Sequence, residues 1–65
     1  MYRVWVSYKK DREIRGLHSI GCNPIEKVDG KTVEFNRYGI VLVDGKRARL
    51  GIKSYARKVI LERVF

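Results

Sequence analysis

The dipeptide Asp44-Gly45 constrains this chain more than any other feature, because it sits between two β-prone runs, residues 40–43 and 46–52. A two-residue type I′ turn needs φ > 0 at both central positions, and Asp-Gly is among the few pairs that accept it. With Asp44 and Gly45 as the loop, Val43 faces Lys46, Leu42 faces Arg47, Val41 faces Ala48 and Ile40 faces Arg49. Side chains alternate along a strand. Val41, Val43, Ala48 and Leu50 therefore share an apolar face, and Arg47 and Arg49 stand side by side on the other.

The same device recurs at Asp29-Gly30. Residues 25–28 and 31–35 flank it, with Val28, Val33 and Phe35 expected on one face and Lys27, Thr32 and Glu34 on the other. Residues 36–39, Asn-Arg-Tyr-Gly, make a short turn between the two hairpins. At the N-terminus, residues 2–8 alternate Tyr2, Val4, Val6 and Tyr8 against Arg3, Trp5 and Ser7, a strand pattern. The polar run 9–13 interrupts it.

Two segments read less simply. Residues 14–20 fit a helix, with Asp11 as N-cap and Gly21 as stop, but Gly16 opposes helix. As a strand they pair with residues 2–8 and bring Leu17 across from Trp5; the strand is favoured. Near the C-terminus, Ile52, Tyr55, Ala56, Val59, Ile60 and Val64 recur at helical spacing, with Ser54 as N-cap. Leu61 and Phe65 fall off that stripe, and a strand over residues 59–65 would absorb them. The helix is favoured here. The expected fold is mainly β (α+β): a small antiparallel meander or SH3-like barrel of five to six short strands with a C-terminal helix, all in one domain, residues 1–65.

Sixty-five residues bury a modest core. One cysteine forms no internal disulfide, and Cys22 with His18 falls short of a structural zinc site. His18 has no partner at triad or ligand spacing, Cys22 lacks a nearby base, and Asp29 and Asp44 are explained as turn formers. The expectation is no enzyme, no metal and no cofactor. No apolar run reaches the length of a membrane span, so a cytoplasmic protein is expected, in association with a nucleoid or ribosome. Glutamine is absent while Lys, Arg, Glu, Val and Ile are plentiful, a bias resembling proteins from very hot habitats.

Charge is the clue to function. Fifteen basic against seven acidic residues give +8, and residues 46–65 alone hold seven basic and one acidic. Such an excess repels itself unless an anionic partner offsets it, and its concentration favours a binding surface over a solubility device. The expected partner is nucleic acid, DNA or RNA, held by its phosphates with little sequence selectivity. The candidate contacts are Lys46, Arg47, Arg49, Lys53, Arg57, Lys58 and Arg3, with Trp5 and Tyr38 as stacking residues. The alternative is a protein-interaction module, such as a small regulatory or viral inhibitor, that binds an acidic protein or forms a homodimer through Leu61, Val64 and Phe65. In size, charge and β content the chain resembles the small basic chromatin proteins of hot-living archaea and several compact ribosomal proteins. That likeness is one of composition, and RNP aromatics, a GXXG loop and zinc-finger spacing are absent.

Overall fold

A computed structural model describes residues 1–54 and 58–64. Its elements in chain order are β1 (Tyr2–Val6), α1 (Tyr8–Ser19), β2 (Ile25–Val28), β3 (Lys31–Phe35), β4 (Val41–Val43), β5 (Lys46–Ile52) and β6 (Ile60–Arg63). The strands form one six-stranded half-barrel in the order β2-β3-β4-β5-β1-β6. One face of this sheet carries α1.

Both Asp-Gly turns form as local chemistry dictates. Asp29 and Asp44 have φ of 51° and 50°, and Gly30 and Gly45 follow at 77° and 81°. The registers are Val28↔Lys31 in the first hairpin and Val43↔Lys46, Leu42↔Arg47 and Val41↔Ala48 in the second. Asp44 also ties the hairpins together. Its backbone N–H donates to the Thr32 carbonyl at 2.8 Å, and its Oδ1 accepts from the Thr32 N–H at 2.9 Å. In the connecting turn, Asn36 Oδ1 accepts from the N–H groups of Tyr38 and Ile40 at 2.9 and 3.1 Å.

Three expectations are corrected. Residues 14–19 are helical with Ile20 as the C-cap, and the helix begins well before them. Ser7, not Asp11, is the N-cap: its hydroxyl accepts from the Lys10 N–H at 3.0 Å, and its carbonyl accepts from the Asp11 N–H at 2.9 Å. The polar run after β1 is thus the first turn of α1, where Asp11 complements the helix dipole and pairs with Arg15 at 3.0 Å. Gly16 costs the helix about 1 kcal/mol relative to alanine, and capping at both ends offsets it. At the C-terminal end, the N–H of Gly21 bonds the His18 carbonyl and that of Cys22 bonds the Leu17 carbonyl, with Gly21 at φ 84°. This is a Schellman closure.

The second correction concerns the favoured C-terminal helix. Among the described residues of the expected helical stripe, Ile52 ends β5 and Ile60 opens β6, which runs over residues 60–63, so both lie in strands. The strand that would absorb Leu61 is the one observed, while Tyr55, Ala56, Arg57 and Phe65 lie outside the described residues. β6 runs antiparallel to β1, with Val4↔Leu61 and Trp5↔Ile60 in register. Its long-range backbone hydrogen bonds outweigh a helical period that carried only part of the segment's apolar residues.

The third is topology. A meander leaves β1 beside its sequence neighbour, but β1 pairs in parallel with β5, across α1 and three strands. An antiparallel meander accounts only for β2 to β5.

The core lies between the sheet's inner face and α1. Val4, Val6, Val33, Phe35, Val41, Val43 and Val59 are buried with Ile14 of the helix, and Tyr2, Val28, Ala48 and Leu61 pack against them. Strand alternation turns the intervening residues to the outer face, which α1 does not cover. Two contacts fasten helix to sheet. Lys10 pairs with Glu26 of β2, and the His18 Nε2–H donates to the Phe35 carbonyl at 2.9 Å.

Candidate nucleic-acid interface

The parallel pairing of β1 with β5 assembles the site. It puts Arg3 in register with Arg49 and Trp5 in register with Gly51, and aligned residues in a sheet point to the same side. Arg3, Trp5, Arg47 and Arg49 therefore share the outer face, although residues 7–45 separate the two strands in sequence. None of the four is buried. Lys53 extends the row past the end of β5, anchored by its N–H to the Val6 carbonyl at 2.9 Å.

Trp5 is the centre of this group. Its indole lies over Gly51 so closely that an ideal Cβ there would stand 2.5 Å from Cζ3 and 2.6 Å from Cε3. Glycine in a strand interior marks such an approach. That signal was present in the run Arg-Leu-Gly-Ile, but only the partner strand explains it. The ring is held in place by its Nε1–H, which donates to Glu62 Oε1 at 3.3 Å from β6. Two cations lie over it: Lys53 Nζ at 4.5 Å and Arg3 Cζ at 5.4 Å from the ring centroid. Each such contact contributes about 0.5–1 kcal/mol at an exposed site.

The face is not uniformly basic. Glu62 approaches Arg3 at 4.0 Å, and Glu34 stands on the same side, in register with Leu42, which in turn pairs with Arg47. Among the described residues, however, Arg47 and Arg49 take part in none of the ion pairs. Two guanidinium groups thus stand free on the surface two residues apart on one rigid strand, about 7 Å along it.

The remaining sequence candidates are placed elsewhere. By alternation Lys46 points to the side opposite Arg47, and the two residues meet at one cleft beside the β4–β5 turn that Met1, Tyr2 and Lys31 also line. Lys58 lies beyond the helix N-terminus, in a cleft with Lys9, Lys10 and Glu26. Tyr38 is 81 % exposed in the β3–β4 turn and has no ring contact to the arginine face. Arg57 lies outside the described residues. Of the apolar C-terminal patch, Leu61 packs on the core and Val64 is half-buried. Sequence reasoning missed Glu62 and Gly51 as parts of the Trp5 setting, because both reach it only through long-range strand pairing.

Among the described residues no group of His, Cys, Asp and Glu could hold a metal ion, and no helix is long and apolar enough to cross a membrane. Comparison with family models, with curated proteins and with solved structures finds no match to this chain.

Proposed function

We propose that this protein binds nucleic acid through the outer face of β1, β5 and β6, mainly by contacts to phosphate. The observation that supports the reading is the Arg3↔Arg49 register, which puts Arg3, Arg47 and Arg49 on the same uncovered face as the Trp5 ring, with Arg3 and Lys53 lying over that ring. Guanidinium groups engage phosphate oxygens two at a time, and the lysine supplies a mobile point charge. The net charge of +8 adds a long-range attraction for any polyanion. DNA and RNA phosphates share this chemistry.

Neutralising phosphates releases counterions, so affinity falls as salt rises, with a slope of roughly 0.7–0.9 logarithmic units per contact. Four cations predict a slope of about −3. Titration of labelled DNA and RNA by fluorescence anisotropy between low and physiological salt measures it. A slope near zero, or an affinity indifferent to the loss of Arg47 and Arg49 together, overturns the reading.

A further inference from the structure

The geometry points to a single strand as the form of nucleic acid taken by this face, with one base stacked on the Trp5 indole and the adjoining phosphates held by Arg3, Arg49 and Lys53. This inference rests on the phosphate-binding reading above and adds the substrate class. It starts from how Trp5 is seated. A tryptophan that wedges into a duplex stands out from the surface, whereas this ring lies down over Gly51, where a Cβ would fall within 2.5 Å of it. One side of the indole is therefore taken by the sheet, and the other is the side available to a ligand. The Nε1–H bond to Glu62 fixes the ring in that attitude.

A flat, fixed aromatic ring on a basic sheet is complementary to the π-face of a base. Bases inside a duplex have both faces covered by their neighbours, so such a platform is of use only for unstacked bases. The cations fit the same ligand. Lys53 Nζ, 4.5 Å from the ring centroid, sits on a flexible four-carbon stem. An arriving base takes its place over the indole, and the ammonium moves to the neighbouring phosphate. Arg3, whose Cζ also lies over the ring at 5.4 Å from its centroid, gives way in the same manner, and with its register partner Arg49 it meets the phosphate on the other side of the base. Stacking of this kind is sequence-tolerant, because every base has a π-face. The ligand class is single-stranded DNA or RNA without strong base preference.

Trp5 is the chain's sole tryptophan, so its emission reports on the site alone. The test titrates wild-type protein at low salt with oligothymidine, oligouridine and a DNA duplex of equal length, reading anisotropy of the labelled nucleic acid and Trp5 fluorescence together. The expected result is single-strand binding at least about tenfold tighter than duplex binding, with strong quenching of Trp5 by the single strands only. Substituting Trp5→Leu should lower single-strand affinity by roughly tenfold to a hundredfold, more than any loss on duplex. The oligothymidine and oligouridine arms separate DNA from RNA. Equal affinity for duplex and single strand, or single-strand binding with Trp5 emission unchanged, overturns the stacking inference and leaves phosphate binding standing. No salt-sensitive binding to any of the three polymers overturns the phosphate-binding reading, and the inference with it.

Discussion

Trp5 and Gly51 are register partners across the parallel β1/β5 pair, and the indole fills the room that a side chain on residue 51 requires. The relationship ties stability to site geometry. The ring that organises the arginine face also closes the outer surface over the strand joining the two sequence-distant parts of the sheet.

Gly51→Ala is the direct probe of that contact. The new Cβ would meet Cζ3, Cε3 and Cη2 of the ring, the last at 3.1 Å, and the ring has little freedom to withdraw while Glu62 holds Nε1. Overpacking of this sort costs about 1–3 kcal/mol. Urea denaturation should show the loss, accompanied by a shift of the Trp5 emission maximum as the indole leaves its seat. A variant as stable as the parent with an unshifted spectrum would show that the ring does not rest on Gly51.

Ser7→Ala removes the acceptor for the Lys10 N–H at the start of α1. Loss of a serine N-cap costs about 0.5–2 kcal/mol, and in a domain of this size each kcal/mol lowers Tm by about 4–8 °C. Circular dichroism melting measures it, and Ser7→Asp should recover most of the difference. Because Asp11, the N-cap expected from the sequence, lies inside the helix, Asp11→Asn should lose only the Arg15 pair and the dipole contribution, together under about 1.5 kcal/mol.

Arg47 and Arg49 carry the third prediction. Replacing both with alanine leaves the hairpin register untouched, since both side chains face away from the core. The slope of log affinity against log salt should become shallower by about 1.4–1.8, twice the contribution of one phosphate contact. Melting temperature should stay within a few degrees of the parent. A large drop in stability would mean that the two arginines serve packing.

Glu62 offers a change in the opposite direction. It is the acid nearest Arg3, at 4.0 Å, and its Oε1 also accepts from Trp5. Glu62→Gln keeps a hydrogen-bond acceptor for the indole while removing one negative charge from the basic face. Polyanion binding should tighten by roughly threefold to tenfold at low salt, and the gain should shrink as the Debye length contracts. Anisotropy titrations at two ionic strengths check both halves of the expectation.

The parts of this fold that were legible in the sequence are those decided within a few residues. Asp29-Gly30 and Asp44-Gly45 set φ > 0 at adjacent positions, and those turns set both hairpin registers and hence the faces of Val33, Val41, Val43, Arg47 and Arg49. The strand expected over residues 2–8 was equally plain from its alternation, but it ends at Val6, because Ser7 caps α1 and Tyr8 opens it. Residues 14–20 read as a strand because Gly16 opposes a helix started at Asp11; the cap at Ser7 lengthens the helix, and with the closure at Gly21 it satisfies the backbone groups at the ends of α1. The C-terminal segment was misjudged because its helical spacing is a local property, whereas the free edge of β1 that captures β6 belongs to the assembled sheet.

Local chemistry by itself therefore determined the hairpins, the strong positive charge and the pairing of two arginines on one ribbon face. Tertiary structure alone decided that Arg3 and Trp5 join them, through a parallel register between strands far apart in the chain. No turn links those strands, so nothing near either one in sequence specifies their alignment. The choice falls to the shared burial of Val4 and Val6 beneath α1 and to the room that Gly51 leaves for an indole.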